Sequence, residues 1–208
     1  MSTVQVTADQ TSQRTSDVFR GLTQLGEGDS IPLGHITDAL GDRAFGLLVL
    51  IFALPNIIPM IPGVSTISGV VIAIVGLQML IGRRAPWLPG FVASRSLPRG
   101  ETQAMIARTM PWIHRLEAFA RPRAVFMTRG VMRMLVGAMF VLLGVVLALP
   151  LSWIGNFPPG VALLVMSIGL LEEDGLLVGI GHVLGIFATL LVVVIVGGVI
   201  AGAAWLIG

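Results

Sequence analysis

Glu172, Glu173 and Asp174 stand side by side between apolar runs. An ionised group next to hydrocarbon is costly, so three adjacent carboxylates could serve as a proton or cation site. The structural alternative is an interfacial turn in which Asp174 and Gly175 lead into a helix, where an acid is favoured by the helix dipole. Asn56 and Asn156 form a second set, each beside prolines. An Asn side chain in such a place either contacts a polar ligand or caps backbone that the prolines have freed. Ser65, Thr66 and Ser68 present the same choice. Asp42 and Arg43 could pair with each other, or could snorkel to headgroups. His182 sits alone in the last apolar run. An interhelical hydrogen bond is its simpler role, because metal sites want several ligands and His35 and His114 show no ligand spacing with it. No glycine-rich phosphate loop followed by Lys, no nucleophile elbow and no HExxH is present. No catalytic residue, metal or cofactor is therefore assigned, and the chain is expected not to be an enzyme.

The elements that must position these residues are apolar helices. The 208 residues are 55% hydrophobic and 12% charged, with a mean hydropathy of +0.92. A soluble domain carries about 25% charged residues, so the chain falls in the membrane class. Zero cysteines exclude disulfides, thiol catalysis and cysteine-ligated metal. The basic residues lie beside apolar spans and not on a separate domain, so nucleic acid is not an expected partner.

In chain order, residues 1–13 are a polar tail with the composition of disorder. Residues 14–42 carry apolar positions at helical spacing and read as two amphipathic helices, the second opened by Ser30 as N-cap with Pro32 behind it. Residues 43–82 form a first membrane segment: Ala44 to Leu54 is wholly apolar, prolines 55, 59 and 62 interrupt it, and Gly63 to Ile81 is apolar again. Residues 83–133 hold ten arginines against two glutamates, which marks the cytoplasmic side. A basic amphipathic helix is expected there over 99–119, with Trp87 as an interfacial anchor. Residues 134–175 form a second membrane segment, with Pro150 to Pro159 as its broken part. Residues 176–208 form a C-terminal transmembrane helix, either single and tilted or broken near Gly197-Gly198. Gly197, Gly198 and Gly202 are expected at close helix contacts.

The two membrane segments repeat one plan. Ala53-Leu54-Pro55, Asn56 and Pro62-Gly63-Val64 recur as Ala148-Leu149-Pro150, Asn156 and Pro159-Gly160-Val161. A helix cut by proline cannot end in lipid without sheltering its freed backbone. Either both hairpins are re-entrant and their breaks meet, as at transporter midplanes, or they are simple hairpins that turn at the far interface. The fold class is accordingly all-α and polytopic: two related broken-helix or re-entrant hairpins plus a long C-terminal helix.

Gly41-Asp42-Arg43-Ala44-Phe45-Gly46, Ala53-Leu54-Pro55-Asn56-Ile57-Ile58-Pro59 and Pro62-Gly63-Val64-Ser65-Thr66 resemble the ExoD family of bacterial membrane proteins. The resemblance continues through Gln78 to Arg83, Pro86-Trp87-Leu88-Pro89, Gly155-Asn156 and Gly169-Leu170-Leu171-Glu172-Glu173-Asp174-Gly175. It covers about Ser30 to Gly185, and Pro158-Pro159-Gly160 departs from it. The family's name ties it to exopolysaccharide synthesis and supplies no catalytic residue set. The resemblance implies an inner-membrane protein, and the arginine-rich segment places the N-terminus in the cytoplasm. Its partners would be the lipid bilayer, a second copy in a homodimer, and polysaccharide-synthesis machinery. A non-enzymatic, transporter-like role leads. A scaffold for synthesis enzymes is the alternative, and an enzyme acting on lipid-linked sugars ranks third.

Overall fold

The computed structural model describes residues 30–57, 63–98, 100, single positions between 104 and 120, 123–149 and 153–207. The tail, the first amphipathic helix and most of the basic helix expected over 99–119 lie outside the described residues. In chain order the elements are β1 (Ser30–Pro32), α1 (Leu33–Leu40), α2 (Asp42–Ala53), a 3₁₀ turn (Leu54–Ile57) and α3 (Val64–Leu80). Then follow α4 (Gly90–Ala93), β2 (Ser96–Pro98), a second 3₁₀ turn (Val125–Thr128), α5 (Gly130–Ala148), α6 (Trp153–Leu171) and α7 (Gly175–Ile207). The architecture is all-α as expected, with one addition. Ser30, Ile31 and Pro32 pair antiparallel with Pro98, Leu97 and Ser96. Ser30 is thus a strand residue and not the helix cap, and α1 starts only after Pro32.

Two antiparallel pairs, α3 with α5 and α2 with α6, make the bundle, and α7 packs antiparallel on α6. α3 and α5 touch backbone to backbone. A Cβ on Gly76 would stand 2.8 Å from the carbonyl oxygen of Gly137, and one on Gly144 would stand 2.7 Å from the amide nitrogen of Ala73. Gly69 meets Gly144 and Ala148 in the same way, at 2.5 Å. The glycines recur at seven-residue spacing on both helices, so one face of each lies against the other along its length. Phe45, Val49, Ile72, Met79, Phe140, Leu143 and Leu163 fill the space between the two pairs, almost fully buried. The outward surface is apolar too: Ile67, Val70, Ile74 and Leu77 of α3 and Leu135, Leu142 and Val145 of α5 are exposed. α5, and α7 from Gly175 to Trp205, are long and apolar enough to cross a membrane.

Two expectations about the second half are corrected. Pro150 to Pro159 is not one broken segment, because α6 begins at Trp153 and carries Pro158 and Pro159 inside it. They are its sixth and seventh residues, past the first four amides that lack an intrahelical acceptor. They remove only the bonds to the carbonyls of residues 154 and 155. Second, a Cβ on Gly197, Gly198 or Gly202 would meet no other part of the chain within 4 Å, so these glycines are not at a close helix contact within the chain. α7 is one unbroken helix of 33 residues, and its last part runs past the end of the bundle. Val192 is the last buried apolar residue along it, and Val193, Val194, Val199, Ile200 and Trp205 are all exposed.

Candidate functional site

The residues singled out in the sequence fall at the two ends of the bundle. The end that carries the starts of α2, α5 and α7 and the finishes of α3 and α6 is charged. There α3 and α6 stop in the same way. The amide of Arg83 donates to the carbonyl of Gln78 at 3.1 Å, and that of Asp174 to the carbonyl of Gly169 at 2.8 Å. Each is the long-range bond of a Schellman motif, which needs a left-handed residue just before its donor. Gly82 supplies it for α3, with φ +83°. Glu173 supplies it for α6, with φ +53°, at a cost of about 1 kcal/mol for a residue with a Cβ.

That left-handed turn aims the Glu173 carboxylate between two arginines. Arg129 Nη2 donates to Oε2 at 3.1 Å and Arg43 Nη2 to Oε1 at 3.4 Å. Next to it Asp174, 2% exposed, accepts from the amides of Leu176 and Leu177 at 3.0 and 3.3 Å through Oδ1. Asp174 is therefore the N-cap of α7, as the structural reading of the acid cluster has it. Glu172 is buried at the end of α6.

A third arginine completes this end. Arg133, 7% exposed, donates through Nη2 to Asp42 Oδ1 at 2.9 Å and to the carbonyl of Arg83. Its guanidinium lies over the Phe45 ring, 5.2 Å from the centroid, close enough for a cation–π contact. Asp42 precedes the apolar segment 44–54. Burial pushes its carboxyl above the usual range, Arg133, Arg84 and Arg129 oppose that shift, and Glu173 adds to it. Asp42 and Arg43 thus pair across elements and not with each other.

The opposite end holds Pro55, Pro158 and Pro159. Where α2 gives way to its 3₁₀ turn, Asn56 donates through Nδ2 to the carbonyl of Phe52 at 2.7 Å and, more weakly, to that of Ala53 at 3.5 Å. This is the backbone-capping role. Its Oδ1 is buried and has no hydrogen-bond partner among the described residues. Asn56 lies against α6: a Cβ on Gly160 would stand 3.4 Å from the Asn56 Cβ. Asn156, also buried, is one turn before Gly160 on the same helix. Ser68 is buried in α3, while Ser65 is half-buried and Thr66 exposed. His182 Nδ1 lies 2.9 Å from the carbonyl of Val178 within its own helix, so the interhelical bond expected of it is not formed at that nitrogen.

The two sets of candidates are therefore not one site. About 28 Å of helix, the length of α5, separates the acids from the asparagines. Among the described residues no cluster of three or more His, Asp or Glu side chains could hold a metal ion. Arg129 and Arg133 were not singled out in the sequence. Their spacing of four, at the start of an apolar helix, puts them on one face, but nothing in the sequence names their partners.

The family model described as "Exopolysaccharide synthesis, ExoD" matches residues 15–194. Protein ExoD of Rhizobium meliloti (strain 1021) is 34% identical over 176 residues, which cover 82% of this chain and 73% of that protein. Uncharacterized protein slr1875 of Synechocystis sp. is 28% identical over 187 residues, 89% of this chain and 86% of that protein. No solved structure matches.

Proposed function

This chain belongs to the ExoD family of exopolysaccharide synthesis, and we propose on that footing that it is a non-enzymatic inner-membrane component of that process. Its two hairpins enter the bilayer from the cytoplasmic, arginine-rich side and turn back inside it. The observation that carries the reading is the free part of α7. From Val193 to Trp205 this helix is apolar and mostly exposed. A helix that is apolar all round belongs in hydrocarbon.

The lengths support re-entrance. From Gly175 to Trp205 α7 rises about 45 Å, the thickness of a bilayer with its headgroups. The bundle follows α7 only to Val192, about 26 Å from the charged end. The proline breaks would then stop short of the far interface by more than a headgroup layer. Broken backbone at that depth must shelter in protein, and Asn56 packs on Gly160 of the other hairpin. The pairing supports the repeat as well. If α2–α3 corresponds to α5–α6, a twofold axis along the bundle exchanges the pair α2·α6 with the pair α5·α3. Repeats of this kind frame the midplane sites of transporters, which favours a transporter-like role.

The acids support a non-enzymatic role: Glu173 is held by two arginines and Asp174 caps a helix. The test is flux from proteoliposomes loaded with a labelled oligosaccharide. Release above that of empty liposomes, reduced by Asn56→Leu, is the expected result. Release that never exceeds the empty-liposome rate overturns the transporter-like role.

A further inference from the structure

At the charged end the best-placed acids are already engaged while several arginines face outward. Asp42 is held by Arg133, Glu173 is shared by Arg43 and Arg129, and Asp174 accepts from backbone amides. Arg83, Arg84 and Arg123 are exposed, and their side chains form no ion pair among the described residues. The fold brings Arg123 to the end of the bundle that carries Arg83 and Arg84. The carbonyl of Arg83 is bonded by Arg133 of α5, Arg84 follows it, and the carbonyl of Arg123 accepts from the amide of Gly175 at the start of α7.

Two aromatic rings flank them. Trp87 is 57% exposed and Phe126 is 66% exposed. Trp87 is fixed there by Gln78, whose Oε1 accepts from the Trp87 amide at 2.5 Å. Exposed aromatics beside exposed arginines that form no ion pair among the described residues, at the mouth of apolar helices, match the layer where acyl chains meet phosphates.

Resting on the membrane reading above, we propose that this arginine rim is a docking surface for anionic phospholipid headgroups. Arg83, Arg84 and Arg123 supply the charge, and Trp87 and Phe126 sit among the upper acyl carbons. The surface would favour phosphatidylglycerol over phosphatidylcholine.

The experiment uses the full chain with Trp112, Trp153 and Trp205 replaced by Phe, so that Trp87 alone reports. It is reconstituted with brominated phosphatidylglycerol or brominated phosphatidylcholine, and quenching gives the relative affinity of the two lipids at the rim. A preference for phosphatidylglycerol is expected. It should fall about five-fold for each arginine changed to Gln, survive change of all three to Lys, and shrink as NaCl rises from about 0.05 to about 0.5 M. Equal quenching by both lipids overturns the proposal, as does a preference unchanged in the Gln variants or lost in the Lys variants. Abolition by millimolar inorganic phosphate would assign the rim to a free anion and overturn it too. A protein that is quenched by neither lipid would instead bring down the membrane reading itself.

Discussion

The two ends of the bundle solve one problem by different means. Both must satisfy backbone freed where helices stop. At the proline end the solution is local: Asn56 bonds carbonyls three and four residues behind it. At the charged end local caps, the two Schellman turns and Asp174, are joined by long-range bonds. Glu173 turns α6 out of its helix and joins residues 130 and 44 positions away, while Arg133 reaches a carbonyl 50 positions away. Local capping suits a helix stop with few partners at hand. Long-range ion pairing suits a rim where five helix ends converge and charges remain partly solvated.

The comparison can be broken at its connecting seam first. Gly76→Leu would drive a side chain into the backbone of Gly137 and Val141, and should cost about 3 kcal/mol and pull both ends apart. Denaturation in mild detergent measures it; a loss under about 1 kcal/mol would show that the α3–α5 contact is looser than described. Next in size is Arg133→Ala, which leaves Asp42 and the Arg83 carbonyl without their donor. A loss of about 2 kcal/mol is expected, and Arg133→Lys should recover only part of it because a lysine lacks the planar fork. Asn56→Ala should cost about 1 kcal/mol, read as the same denaturation shift.

The smallest effect is the sharpest. Glu173→Ala loses two partly exposed ion pairs, each worth at most about 1 kcal/mol, and keeps the left-handed strain. Glu173→Gly loses the same pairs and sheds the strain. The glycine variant should be the more stable of the two by about 1 kcal/mol. Equal stabilities would mean that the turn is not left-handed in solution.

The same contrast explains what could be read from the sequence. The proline end was legible because its logic is local: Ala-Leu-Pro and a following Asn announce a helix stop and its cap within a few residues. The α7 N-cap was legible for the same reason, as an acid just before a glycine and an apolar run. The partners of Asp42, Arg43 and Glu173 were not, because arginines abound between 83 and 133 and spacing along the chain does not say which of them folds back. Pro158 and Pro159 misled. A proline pair signals a break, yet α6 runs through both with the loss of two backbone bonds. Gly197, Gly198 and Gly202 misled in the opposite direction, since the glycines that do pack closely, Gly69, Gly76, Gly137 and Gly144, lie within the bundle. Ser30–Pro32 gave no strand signal, being three residues that end in proline.

The central claim is that the two hairpins turn back within the bilayer. The chain has no cysteine, so a single introduced thiol is unambiguous. Leu54→Cys and Leu149→Cys place it on exposed positions at the two breaks, Arg84→Cys at the charged rim, and Trp205→Cys near the end of α7. In sealed vesicles of known orientation, a membrane-impermeant maleimide should label position 84 from the cytoplasmic side, position 205 from the opposite side, and positions 54 and 149 from neither. Labelling of 54 and 149 from the side that labels 205 would contradict the account, leaving two ordinary hairpins that cross the membrane.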